Sequence, residues 1–116
     1  MVDNFILHGD CLDLLKELAE EGIVVQSVVC DPPYGTSFMN SSWDCKDNIV
    51  FQPEVWRLCL NLLSPGGHLL AFGGCRTYHR LVCAIEDAGF EIRDQISWVF
   101  GCLSSDTDLV TERGVS

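Results

Sequence analysis

Cys30-Asp31-Pro32-Pro33-Tyr34-Gly35 constrains this chain more than any other stretch. It follows Ile23-Val24-Val25-Gln26-Ser27-Val28-Val29, an apolar run rich in β-branched residues that predicts a buried strand. A carboxylate, two prolines and an aromatic ring thus fall where a strand ends and the chain must turn. Ligands of open α/β sheets bind outside the carboxyl ends of strands. Each proline fixes its own φ, and Pro33 also restricts the residue before it. Neither proline has an N–H, so Asp31 and the Pro32 carbonyl present acceptors into a small stiff cup, with the flat ring of Tyr34 beside it. Two acceptors and a stacking face suit an exocyclic amino group on a flipped-out base. A plain strand-to-loop turn with Asp31 as a cap fits the same four residues, so the flanking chain has to decide.

Upstream, residues 4–10 read as a short strand ending in Gly9-Asp10. Leu12, Leu14, Leu15, Leu18 and Ala19 then recur at helical spacing, and Gly22 stops that helix. Asp10 is placed to cap the helix or to accept a hydrogen bond from a small ligand. Downstream, residues 35–49 form a long polar loop holding Ser42-Trp43-Asp44. A loop of that length beside a candidate site is often functional. Trp43 is either a substrate contact or the anchor that holds the loop down.

A helix is expected over 51–63, with Pro53 near its start and Val55, Leu58, Cys59 and Leu62 on one side. Ser64-Pro65-Gly66-Gly67 ends it, and residues 68–74 read as a buried strand closing on Gly73-Gly74, where the backbone can pass close to a neighbour or a ligand. A third helix is expected over 78–88, stopped by Gly89, and the alternation through 90–100 suggests an edge strand with one wet face. The order β-α-β-loop-α-β-α-β is that of a doubly wound α/β sheet.

Together, His8-Gly9-Asp10-Cys11-Leu12, Asp31-Pro32-Pro33-Tyr34-Gly35, Ser64-Pro65-Gly66-Gly67, Leu69-Leu70-Ala71-Phe72-Gly73-Gly74 and Ile96-Ser97-Trp98-Val99-Phe100-Gly101 resemble the DNA amino-methyltransferases, and phage and prophage members most closely. The likeness runs from about Asn4 to Gly101 and is to the class in which the Asp-Pro-Pro-Tyr tetrad precedes the cofactor loop. It implies a Rossmann-like fold, S-adenosyl-L-methionine as cofactor, and a methyl group delivered to adenine N6 or, less favoured, cytosine N4. The implied catalytic residues are Asp31, Pro32, Pro33 and Tyr34; Asp10 would contact the cofactor and Trp43 the substrate. An RNA substrate stays open, whereas protein glutamine is disfavoured because those enzymes carry Asn at the tetrad's first position.

Two features of the family are missing from this sequence: a Phe/Pro-x-Gly-x-Gly cofactor loop and a target-recognition region, both of which follow later in that class. The chain is therefore expected to be an N-terminal part, residues 1–101, lacking central strands of its own sheet and needing a C-terminal half. Open apolar strand edges would then invite aggregation. The formal charge of −10 agrees, since phosphate contacts need Lys and Arg; DNA would be held by a basic region elsewhere.

Residues 102–116 depart from the family. Cys102-Leu103-Ser104-Ser105-Asp106-Thr107 resembles the start of an intein, which makes Cys102 a candidate splicing nucleophile and Gly101-Cys102 the scissile junction. The seven cysteines include no Cys-x-x-Cys pair and read as buried reduced thiols. With three scattered histidines, no metal site is expected. No apolar run approaches the roughly 20 residues of a membrane span, and no signal peptide is evident, so a cytoplasmic location in a bacterial or phage-infected cell is expected.

Overall fold

The computed structural model describes residues 4–36, 40, 42–45 and 47–101. Three helices and two strands follow in the order α1 (Cys11–Glu20), β1 (Val25–Cys30), α2 (Pro53–Leu62), β2 (Leu63–Ala71) and α3 (Tyr78–Asp87), with short 3-10 turns at Ser42–Asp44 and Ile49–Phe51. Asp10 caps α1: its Oδ1 accepts from the amides of Leu12 at 2.9 Å and Asp13 at 3.4 Å. Gly22, at φ +75°, closes the helix as expected, with its amide on the Ala19 carbonyl and the Ile23 amide on that of Leu18. Pro53 opens α2, where its missing N–H costs no helical bond.

β1 and β2 pair in parallel, Ser27 to Cys30 lying opposite His68 to Ala71 in step. The Phe72 amide then bonds the Cys30 carbonyl at 3.0 Å, so the pairing runs up to the tetrad. Between the Val25–Leu63 and Ser27–His68 pairs, β2 bulges outward at Gly66, whose φ is +80°. The Ser64-Pro65-Gly66-Gly67 stretch thus lies inside β2 as a bulge, and the strand begins five residues earlier than its apolar run suggested.

The core lies on one face of this sheet. Val28, Cys30, Leu69 and Ala71 pack on a cluster made by Val50, Val55, Trp56, Cys59, Leu81, Ala84, Ile85 and Ala88. Trp56 is the anchor, with its ring 2% exposed and its indole N–H donating to the Val50 carbonyl at 2.7 Å. The opposite face is open: Val29 is 66% exposed and Leu70 46%. β1 and β2 were expected to be buried on both sides, and among the described residues only one side is covered.

The expected strands over 4–10 and 90–100 are not formed. Both segments lie outside the ladder, with Ile6 96% exposed and Val99 88% exposed. An extended segment is a strand only when its N–H and C=O groups find a ladder, and the described residues offer these two none. Phe90 is half-buried against the core, but from 91 to 100 both sides are exposed, so the alternation there reflects composition and not a wet and a dry face. One tilted ring pair, Trp98 on Phe72 at 6.0 Å, joins this segment to the end of β2. What stands is a mixed α/β fold with a two-stranded parallel sheet.

The cysteines also depart from expectation. Cys11 and Cys83 are exposed, Cys30 and Cys45 half-buried, and only Cys59 of these five is buried. Burial, reinforced by the nearby thiols of Cys30 and Cys11, pushes the Cys59 thiol up to about 11, so it is an inert packing group. Among the described residues no helix is long and apolar enough to cross a membrane. None of their His, Cys, Asp and Glu side chains group as metal ligands.

Candidate functional site

The tetrad leaves β1 directly after Cys30, at the strand's carboxyl end, where the sequence placed it. Asp31 is exposed and Pro32, Pro33 and Tyr34 half-buried, so the carboxylate is open to a ligand while the turn beneath it is packed. The Tyr34 phenol donates to Asp31 Oδ1 at 2.8 Å. Among the described residues no donor reaches Asp31 Oδ2. Burial first, and then the bond to Asp31 and its charge, raise the Tyr34 phenol above the usual tyrosine value. The neutral phenol is therefore the folded form, and its contribution to stability is full below that value and lost as pH rises through the raised one. Burial, aided by the Asp31 charge, likewise raises the Cys30 thiol.

Three contacts hold the turn from behind. The Gly35 amide donates to Asp44 Oδ1 at 2.6 Å, and the Thr36 hydroxyl to Asp44 Oδ2 at 2.9 Å. The buried Thr77 hydroxyl, at the N-terminal end of α3, donates to the Tyr34 carbonyl. Gly35 sits at φ +71°, and a Cβ there would stand 2.6 Å from the Phe51 ring, so both backbone and space require glycine. Gly74 answers the question raised by Gly73-Gly74: a Cβ on it would meet Tyr34 Cβ at 3.3 Å, so the glycine lets the end of β2 pass close to the tetrad.

Asp44 was noted in the sequence only as part of the loop, with no role assigned, and Thr77 carries no motif or periodic signal and was passed over. Their neighbour Trp43 was weighed as anchor or substrate contact. The structure makes Asp44 the anchor, 2% exposed, and leaves Trp43 58% exposed with only its carbonyl engaged, by the Asn48 side chain. Asp10 is not bonded to the tetrad. Its Oδ1 is committed to capping α1 and its Oδ2 has no partner among the described residues. It could offer one oxygen to a cofactor hydroxyl or amine, a partial fit. Cys102 lies outside the described residues. A cavity of about 320 Å³ lies between the 47–52 turn and α3, lined by Phe51, His79 and Arg80 among others; none of the tetrad residues borders it.

An exposed carboxylate at a strand end, steadied by a phenol and followed by a braced Pro-Pro turn, can accept hydrogen bonds from a planar amino group. Comparison with known proteins bears on the family and not on the roles of these residues. No solved structure matches the chain. Among curated proteins, it is similar to the Type II methyltransferase M.HinfI of Haemophilus influenzae, at 26% identity over 113 residues. That match covers 82% of this chain but only 31% of the relative, so the chain spans about a third of that protein's length. A family described as DNA methylase, of the N6/N4 class, matches residues 25–112, from the start of β1 through the tetrad and well past α3. On that match, covering well over half its length, the chain belongs to the DNA methylase family.

Proposed function

We propose that this chain carries the base-holding part of an S-adenosyl-L-methionine-dependent DNA methyltransferase that acts on an exocyclic amino group, adenine N6 ahead of cytosine N4. The observation that carries this reading is the exposed Asp31 carboxylate at the end of β1, with Oδ1 fixed by Tyr34 and Oδ2 open. The amino nitrogen of a base is a poor nucleophile because its lone pair is delocalised into the ring. Hydrogen bonds from its two N–H groups to Asp31 Oδ2 and the Pro32 carbonyl favour a pyramidal nitrogen and localise that pair. Pro33 keeps the turn stiff, and the Tyr34 ring supports the extruded base by stacking, worth about 1–3 kcal/mol per base. When bound, S-adenosyl-L-methionine supplies an electrophilic methyl group. Asp10 offers Oδ2 to that cofactor, and positioning by this chain contributes much of the rate. Trp43, facing outward, is the loop residue offered to DNA.

On this reading residues 1–101 are the N-terminal part of a partial Rossmann-like catalytic domain. A C-terminal half brings the cofactor loop, the missing strands and the basic DNA-recognition surface. The test is the product made when this chain is co-expressed with such a half: digested DNA should contain N6-methyladenine. N4-methylcytosine would keep the chemistry and change the target base; methylation confined to RNA, or none, would overturn the reading.

A second reading is compatible with the first and rests on the break in sequence at Cys102. There residues 102–116 form the start of a protein-splicing element, and the Cys102 thiol attacks the Gly101 carbonyl: the C–S bond forms as the Gly101–Cys102 C–N bond breaks, the thiol proton passes to the nitrogen, and a thioester and a free Cys102 α-amine result. The family match continues to residue 112, which weighs against it. In the full-length gene, Cys102→Ala should leave only unspliced precursor; a ligated product from that variant would end the splicing assignment.

A further inference from the structure

Asp44 is a charged side chain 2% exposed in a polar surface loop, an expensive arrangement unless its hydrogen bonds do something the loop needs. One of them, from the Gly35 amide, meets a bond from Thr77 on a single peptide unit, while the other accepts from the Thr36 hydroxyl. The carbonyl of Tyr34 and the N–H of Gly35 belong to the same plane; Thr77 holds the first and Asp44 the second. A plane that precedes a glycine at positive φ is the kind most easily flipped, since glycine tolerates either side of φ. Flipping this one would break both bonds, leave the Gly35 amide unsatisfied, and swing the carbonyl end that fixes the Tyr34 side chain. The Phe51 ring fills the space beside Gly35 where a Cβ would stand, so the position is held to glycine.

We propose that Asp44, acting with Thr77, is the positioning residue of this site: the two clamp the Tyr34–Gly35 peptide plane and thereby aim the Tyr34 ring and the Asp31 carboxylate at the substrate. The clamp draws its parts from far apart in sequence, Asp44 from the 3-10 turn after the tetrad and Thr77 from the start of α3. A substrate pulling on the base-holding ring therefore works against the packed body of the protein and not against a loose turn. Neither Asp44 nor Thr77 touches the reacting atoms in this scheme; both act through Tyr34. The inference deepens the function proposed above and rests on it for the identity of the substrate, though not for the geometry.

The direct test follows the phenol of Tyr34, whose titration reports the hydrogen bond to Asp31. The chain has two tyrosines, so ring-labelled tyrosine in a Tyr78→Phe background gives a single signal. With the clamp intact Tyr34 titrates above the usual tyrosine value; in Asp44→Ala it should move down toward that value, and Asp44→Asn, which keeps an acceptor for the Gly35 amide, should restore it. If Asp44→Ala does not hold its helical circular dichroism, the near-isosteric Thr77→Val decides by the same downward movement. A folded Asp44→Ala or Thr77→Val whose Tyr34 titrates as in the parent overturns the proposal. In the reconstituted methylase, Asp44→Ala should lower turnover by about 100-fold through misplacement, leave the Michaelis constant for the cofactor unchanged, and be largely recovered by Asp44→Asn. A separate failure is distinguishable: if Asp31→Ala keeps full turnover while the titrations behave as stated, the assigned chemistry is wrong and the clamp stands.

Discussion

Asp31→Ala should abolish methyl transfer in an enzyme reconstituted from this chain and the proposed C-terminal half, and leave cofactor binding within about twofold. The carboxylate is exposed and forms no bond to the core, so its removal costs little stability. What it removes is the partner that steadies the Tyr34 phenol and, on the proposed function, the acceptor that frees the amino lone pair. Losing a preorganised hydrogen-bonding group of this kind lowers turnover by about 10²–10³-fold, and loss of Tyr34 orientation adds to that. Cofactor affinity should be spared because the proposed cofactor contacts lie at Asp10 and in the proposed C-terminal half. The measurement is labelled-methyl incorporation alongside isothermal titration with S-adenosyl-L-methionine. Turnover within threefold of the parent would remove Asp31 from the mechanism.

The second large effect is on stability. Trp56→Ala should lower the unfolding free energy by about 3–5 kcal/mol, read from the denaturant midpoint. The ring is almost wholly enclosed and touches the centre of the core, and its indole N–H holds the Val50 carbonyl. Removing it opens a cavity and strands that carbonyl, and an unsatisfied buried acceptor adds about 1–3 kcal/mol. Domains of this size have only about 5–15 kcal/mol in total. Val50 neighbours Phe51, the ring packed beside Gly35, so a surviving variant should also show the tetrad turn loosened. A midpoint shift worth less than about 1 kcal/mol would mean that the core is organised around some other residue.

Both predictions depend on elements that the sequence announced and on elements that it did not. Apolar spacing with a capping Asp10, a Pro53 start and glycine stops placed the three helices within a residue or two, because those signals are local and each has its own physical cause. The tetrad's place at the end of β1 was legible for the same reason. Residues 4–10 and 90–100 have strand composition without strand structure, since pairing depends on what lies alongside and pattern alone does not supply it. The bulge at Gly66 was read as a helix-ending turn; its glycines permit both. Asp44 was given no role because a carboxylate nine residues from its partner in a polar loop looks like any solvated side chain. The cysteines were judged by the runs they sit in, whereas the sheet is covered on one face only and leaves several of them open.

The most direct test of the account is whether the tetrad grips an amino group. Titrating the chain with adenosine 5′-monophosphate labelled with nitrogen-15 at the exocyclic amine, followed by NMR, observes that contact without requiring turnover. The account predicts a shifted amino resonance, with cross-peaks from its protons to Pro32 and the Tyr34 ring, both lost in Asp31→Ala. If saturating nucleotide shifts other parts of the chain while the Asp31 and Tyr34 signals stay where they were, the base is not held here, and the tetrad is only a rigid turn.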